Sequence, residues 1–542
     1  MKSRSLTDPA LPAVRSLPIR RVLTVVLLLN ALLVLPEWWM PYTEFPAPLV
    51  APEALLLPGL LLALPPVMAR PLAVGVTALL MLGVALALSD LATGWALGRP
   101  VNVYIDWPLL ASVEHLLRGA VGKPLAWLVL ASAVAILALS AHRLFRVLGR
   151  LHGHGAGPWG TALGVGLLVL GVAGWQGRDL PGLDASLDTP LIIRLTDQTH
   201  RFLATAREQR SFAEQLRGRQ TAAPDLSRLD GRDVILAFIE SYGVTLTRHS
   251  RYAATAEAAL AHMQNALDKA GLSVVTAYFD SPVQGGQSWL AHGTVLSGLW
   301  LDNQIRYDLF LAARGASLVS DFNAAGYRTA AIMPAITDPW PAGRQWGYDA
   351  IHDHARIDYA GPALNWVTMP DQYTWHYFQQ RVREPLAQPL FAELALISSH
   401  APWTPIIDRV DWDTIGRGEV FARWADAGPP PGVVWSERER VRRHYARAVD
   451  YALRTASEWA ARDLGDGVLI LLGDHQPAPL ITGEGAPRAV PVHVISRDEA
   501  LARDLLAHGF RQGLRGGAEP LGTLAALRPL LHQVFDEEQA RQ

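Results

Sequence analysis

The residues in this chain best suited to chemistry stand just after short apolar runs. Asp474 and His475 follow Val468-Leu469-Ile470-Leu471-Leu472-Gly473, Glu240 follows Val234–Ile239, and His400 follows Leu390–Ser398. Carboxylate oxygens and an imidazole nitrogen both suit a divalent cation. A fourth piece, Gly285-Gly286-Gln287-Ser288-Trp289, places a serine after a glycine turn, where helical periodicity begins. A serine there keeps its oxygen exposed beside unpaired helix N–H groups, which favour an anion such as a phosphate. Each piece also has a plain structural reading. Asp474 could cap a strand end beside a solvated His475, and Ser288 could be an ordinary N-cap.

The runs that carry these residues are too short to cross a membrane and read as strands buried on both faces. Further strand candidates are Leu272–Tyr278, Gly326–Met333 and Val490–Ser496. Helical stretches such as Ala253–Ala270, Tyr307–Ala325 and Glu437–Ala461 lie between them. Strands alternating with helices predict an α/β domain with a mostly parallel central sheet. Ligands of such sheets bind beyond the carboxyl ends of the strands, where Glu240, His400, Asp474 and His475 would converge.

The chain has 542 residues, a net charge of −2, no cysteine and 50% apolar residues, concentrated in the first third. The charge balance offers no basic face for nucleic acid, and the missing cysteines exclude disulfides and thiolate chemistry. Five apolar runs, Val22–Pro36, Ala54–Met68, Pro71–Leu88, Pro124–Ser140 and Trp159–Trp175, approach the ~20 residues of a membrane span. No charge falls inside any of them, so an ion pathway is not expected. The tail before the first run carries Lys2, Arg4, Arg15, Arg20 and Arg21, and His142–Pro158 carries Arg143, Arg146 and Arg150. The positive-inside rule then puts the N-terminus in the cytoplasm and, after five crossings, everything beyond Trp175 outside. The expected domains are a five-helix membrane part over 1–178, a helical stalk over 179–230 and an α/β part over 231–542. The membrane part reads as an anchor or as a holder of a lipid-borne substrate.

The ordered motifs Ile-Glu-Ser-Tyr-Gly at 239–243, Gly-Gly-Gln-Ser-Trp at 285–289, Ser-Ser-His-Ala-Pro-Trp at 398–403 and Gly-Asp-His-Gln-Pro at 473–477 resemble the lipoteichoic acid synthase and phosphoglycerol transferase branch of the sulfatase/alkaline phosphatase superfamily. The resemblance implies an inner-membrane, multi-pass protein with an extracytoplasmic sulfatase-like domain. It implies one divalent metal, manganese first with magnesium or zinc as alternatives, held by Glu240, Ser288, Asp474 and His475. It makes Ser288 the nucleophile, where most relatives have threonine, and His400 the group contacting phosphate or leaving group. It places Trp340 and Arg344 near the substrate head group; independently of it, Trp289, next to Ser288, could stack on a sugar or glycerol group. The implied partners are a membrane phospholipid donor and an envelope glycan or lipid acceptor. His493 could serve a second metal, as in phosphoethanolamine transferases, or be a core histidine.

Other readings stay open: a phosphoethanolamine transferase, a phosphodiesterase using water as acceptor, or a non-catalytic envelope-assembly scaffold. A formylglycine sulfatase is disfavoured because Trp289-Leu290-Ala291 follows Ser288. His352 and His354, near Asp353, are metal-like in type but read as loop residues. The basic run Arg438–Arg447 reads as a solvated helix face.

Overall fold

The computed structural model describes residues 19–40, 48–155, 158–177, 187–218 and 224–536. Two compact units divide the chain: Met1–Gly94 with Arg99–Ala204, and Trp95–Gly98 with Thr205–Gln542. The division falls inside the helix Pro190–Gly218, which includes the helical stretch expected over Thr196–Leu216. The basic tail before Ile19, part of the first loop (41–47), the start of the expected stalk (178–186) and Ala223 lie outside the described residues.

Among the described residues, four helices are long and apolar enough to cross a membrane: Ile19–Trp39, Arg70–Leu97, Lys123–Leu151 and Pro158–Gly177. The expected second span is instead a helix of 11 residues, Glu53–Ala63. It is about 16 Å long, against a hydrocarbon core of roughly 30 Å. Leu64 is extended (ψ 155) and ends it, as a residue before a proline commonly is. Backbones touch where this helix meets Pro158–Gly177: a Cβ on Gly164 would lie 2.9 Å from the Gly59 carbonyl oxygen. Small residues allow this approach between apolar helices.

The third apolar run does not stop at Leu88. Its helix, Pro66–Leu97, continues for nine more residues and takes in Asp90. One expectation is therefore corrected, since a charge does lie within a candidate span. Asp90 is near the end of that span and is neutralised by Arg194, whose guanidinium lies 3.1 Å away and also pairs with Glu37.

Among the described residues, the second unit is built on nine strands: β1 Val234–Ile239, β2 Ser273–Asp280, β3 Arg328–Met333, β4 Ala350–Asp353, β5 Leu390–Leu396, β6 Val468–Gly473, β7 Ala489–Ser496, β8 Arg511–Gln512 and β9 Gly522–Thr523. Their order is β4-β3-β5-β1-β6-β7-β2-β8, with β9 beside β2. The sheet is parallel from β4 to β6 and antiparallel at β6–β7, β7–β2 and β2–β8. It is thus mixed where a mostly parallel one was expected. Between β6 and β7 there is only a four-residue helix, Pro479–Thr482, too little for the crossover that parallel neighbours need. Because β7 runs against both neighbours, β2 points the same way as β1, β5 and β6. All four carboxyl ends therefore meet at one edge.

β1 is central and every residue in it is buried. Ile235, Ala237 and Ile239 face a core completed by the helices Ala253–Lys269 and Arg438–Asp463. Val234, Leu236 and Phe238 face a second core that includes Leu290 and Ala291 of the helix Ser288–Ser297. The helix expected over Tyr307–Ala325 is two, Gln304–Ala312 and Leu318–Ala324. Arg314 between them turns left-handed (φ 50). His352, expected in a loop, is on edge strand β4.

Candidate metal centre

Register sets the level of the site. Ile239 of β1 pairs with Leu396 of β5 on one side and Gly473 of β6 on the other. The next residue of each outer pair is therefore at the same height: Glu240 and Asp474. Gly473 has no alternative here, because a Cβ on it would lie 1.8 Å from the Tyr242 carbonyl oxygen.

The loop after β2 brings in the serine. Ser281 Oγ donates to the Asp474 carbonyl at 2.6 Å, and the Gly285 N–H donates to the Gln476 carbonyl at 2.8 Å. Ser288 is not the N-cap. Gln287 is, in a left-handed conformation (φ 66) and without a side-chain cap bond. Ser288 opens the helix with its Oγ 3.0 Å from Glu240 Oε2 and 3.2 Å from His475 Nε2. Ser241 is the other left-handed non-glycine at the site (φ 58). Such conformations persist only where neighbours enforce them, and the Ser241 N–H donates to Asp474 Oδ1 at 2.7 Å.

His475 Nδ1 lies 2.8 Å from the Gln476 carbonyl. A carbonyl only accepts, so Nδ1 carries a proton, and Nε2 faces Glu240 (3.3 Å) and Asp474 (3.6 Å), where loss of its own proton would leave a lone pair for a cation. Such an outer hydrogen bond orients a metal-ligating histidine. Glu240, Asp474 and His475 each offer a ligand atom within 4.8 Å of the others, and Asp474 and His475 are almost fully buried. Burying two carboxylates this close is costly without a compensating cation. Burial and the Glu240 charge push the Asp474 carboxyl up to about 7. Against its own burial, His475 is raised to about 9 by Asp474 and Glu240. Burial likewise opposes the Glu240 charge, but His475 and then His400 hold its carboxyl below the usual range. Without a cation the cluster keeps a proton that a cation would displace. The oxygen and nitrogen donors, with Ser288 Oγ beside them, fit a divalent metal ion.

His400 reaches the same edge on the turn after β5. Its Nδ1 lies 2.6 Å from the Ala401 carbonyl, and Ser399 Oγ donates to the Glu240 carbonyl at 2.6 Å. Trp289, next to Ser288, is 38% exposed and donates Nε1–H to Gln304. Trp340 packs over Gly343 and against the core, and Arg344 is exposed. Neither is a hydrogen-bond partner of the four clustered residues. His493 is fully buried, with Nε2 3.1 Å from the Tyr242 hydroxyl and Nδ1 2.7 Å from Thr276 Oγ1. Both nitrogens are occupied, and burial pushes the ring down to about 3; this is a core histidine. His352 is similarly held by the Tyr377 hydroxyl.

Two supporting residues escaped the sequence reading. Ser241 was within a quoted motif, but its backbone role is visible only in three dimensions. Asp371 had no motif. It starts the helix Asp371–Tyr377, and its Oδ1 accepts the Ile397 and Ser398 N–H groups at 2.7 and 2.9 Å, clamping the turn that carries His400.

No family model and no curated protein matches the chain. Among solved structures, it is similar to the integral membrane lipooligosaccharide phosphoethanolamine transferase EptA from Neisseria meningitidis (13% identity, 87% of this chain and 86% of that one, TM-score 0.45). It is also similar to the lipoteichoic acid synthase LtaP from Listeria monocytogenes (14%, 52% and 70%, TM-score 0.34). A third is a protein in the alkaline phosphatase superfamily from Vibrio parahaemolyticus (13%, 58% and 69%, TM-score 0.37).

Proposed function

We propose that this chain is a metal-dependent phosphotransferase that moves a head-group phosphate from a membrane phospholipid, through an ester on Ser288, to a hydroxyl of an envelope glycan or lipid. The observation that carries this reading is the place of Ser288 Oγ. It opens a helix and touches both Glu240 and His475. Glu240, Asp474, His475 and Ser288 would hold the ion, which supplies charge neutralisation and lowers the pKa of a bound hydroxyl. Manganese is the first candidate, with magnesium or zinc as alternatives.

In the first half-reaction Ser288 Oγ attacks the donor phosphorus. The Oγ–P bond forms, the bond from phosphorus to the diacylglycerol oxygen breaks, and the serine proton ends on that oxygen. In the second half-reaction an acceptor hydroxyl forms its bond to phosphorus, the Oγ–P bond breaks, and the acceptor's proton ends on Ser288 Oγ by way of His400. The N–H groups that open the Ser288–Ser297 helix favour the charge on the phosphoryl oxygens. His400, with Nδ1 turned to the Ala401 carbonyl, keeps Nε2 for a proton; it protonates the leaving oxygen and then deprotonates the acceptor. Trp289 offers an exposed ring edge beside Ser288, and Trp340 and Arg344 are assigned to the head group.

The test is the intact mass of the full chain after incubation with phosphatidylglycerol or phosphatidylethanolamine and manganese. A Ser288→Ala chain runs alongside. A glycerol phosphate adduct on the wild type alone establishes donor and nucleophile. A phosphoethanolamine adduct moves the assignment to that transferase class, which the site geometry supports equally. No adduct from either lipid and no bound metal would leave the scaffold reading.

A further inference from the structure

We infer that the short segment Trp95–Gly98 is a positioning element of the candidate metal centre: it braces the loop that presents Ser288, and Gly98 is the residue that lets it do so. The segment is far from the site in sequence but belongs to the second unit. It comprises the end of the helix Pro66–Leu97 and the residue that follows. Two close approaches define the brace. A Cβ on Gly285 would lie 1.9 Å from the Ala96 carbonyl oxygen, so only hydrogen fits between loop and segment there. A Cβ on Gly98 would lie 2.8 Å from Gln284 Oε1 and 3.5 Å from Pro479 Cγ. Both glycines are left-handed (φ 75 and 64), a conformation that strains other residues.

The segment thus bears on two loops of the site, the one that leads to Ser288 and the one that follows His475. Gln284 joins them. It is buried, and its Nε2 donates to the Pro477 carbonyl and to Thr482 Oγ1, each at 3.2 Å. Its backbone forms a β-bridge with Gln476. An amide fixed in this way cannot swing away from a side chain added at Gly98 without releasing its bonds. Beyond it, Gln287 is held left-handed (φ 66) with no side-chain cap bond. Such a conformation persists only where neighbours over-determine it, and the braced loop is that neighbour. Ser288 Oγ sits 3.0 and 3.2 Å from Glu240 and His475, and misplacement of a reacting group by about 1 Å can cost on the order of a hundredfold in rate.

The catalytic meaning of this brace rests on the reading of Ser288 as nucleophile, so the test needs a readout without turnover. The chain has no cysteine, and Ser288→Cys therefore gives a single thiol at the site. Its alkylation by N-ethylmaleimide is followed by intact mass on the full chain in detergent with a chelator present. Adding Gly98→Ala should speed alkylation on the order of tenfold, the scale of one L side chain forced into a left-handed conformation. Gln284→Leu keeps Gly98, removes both amide bonds and should act likewise; it decides the matter if Gly98→Ala does not fold. A thiol at exposed position 436, introduced as Ser436→Cys, should react at the same rate with and without either change. Alkylation at 288 that either folded variant leaves unchanged or slows would overturn the inference, as would an equal rise at 436. In the chain with Ser288 intact, Gly98→Ala should lower kcat for diacylglycerol release and keep KM. A wild type that releases none counts against the proposed reaction, while the thiol rates still decide the brace.

Discussion

Ser288 draws its chemistry from what surrounds its oxygen, and its removal separates binding from reaction. Ser288→Ala should lower phospholipid turnover by about a thousandfold or more, with the folded fraction unchanged, as measured by release of diacylglycerol. Asp371 offers a prediction with a sign. Its carboxyl is buried; burial pushes it up to about 7, opposed by hydrogen bonds from the Ser398 and Ile397 groups and assisted by the Glu240 charge. One of its oxygens has no hydrogen-bond partner among the described residues. A carboxyl whose folded pKa exceeds its unfolded value favours folding below the unfolded pKa, near 4, and loses that contribution as pH rises toward 7. Asp371→Asn is neutral throughout and keeps an oxygen for both N–H groups. It should raise the unfolding midpoint of the solubilised chain at pH 8, by at least about 1 kcal/mol equivalent, and leave it nearly unchanged at pH 4. A larger gain at pH 4 than at pH 8 would contradict the burial argument.

Between elements, one buried polar link stands out. Glu393 in the middle of β5 is 1% exposed. It takes a hydrogen bond at 2.7 Å from His292, one turn beyond Ser288 on the same helix, and another from the Tyr348 hydroxyl. Burial and the Glu393 charge keep Tyr348 in its neutral, donating form. The His292 ring also stacks on Phe238 of β1, with centroids 3.8 Å apart. This link ties the serine helix to the sheet. Glu393→Ala leaves both partners without it and should cost about 3–5 kcal/mol, seen as a lower thermal midpoint. Glu393→Gln should fall between that variant and the wild type.

Across the whole molecule, the side of the membrane on which the metal centre works depends on how many times the chain crosses. With a cytoplasmic N-terminus, four full crossings return the chain to the inside. The outward placement expected from the positive-inside rule therefore requires the odd crossing to fall to the short Glu53–Ala63 helix and its flanks. The natural absence of cysteine makes this testable without background. A Ser436→Cys chain should react with a membrane-impermeant maleimide in intact cells. A Gly149→Cys chain should react only after permeabilisation. The reverse pattern would place the centre inside.

Local pattern was enough to make the strands legible. Continuous apolar runs ending at Glu240, His400 and Asp474 read as buried strands, and β1, β5 and β6 follow those runs closely. Glu240, Asp474 and His475 were readable from residue type and position, whereas the joining of Ser288 to them came only from the resemblance of the motifs. What one dimension could not hold was set by pairing between distant segments. The reversal of β7 turns β2 so that Ser288 reaches the same edge, and it depends on which strands meet across the sheet. Ser241 and Asp371 act through backbone bonds to residues 233 and 26–27 positions away, a relation that no spacing in the sequence encodes. His493 had a metal-binding side chain, and only its enclosure by Tyr242 and Thr276 made it a core residue. Asp90 was placed outside its span because hydropathy ends where charge begins, whereas a helix continues as long as its backbone bonds and a partner such as Arg194 sustain it.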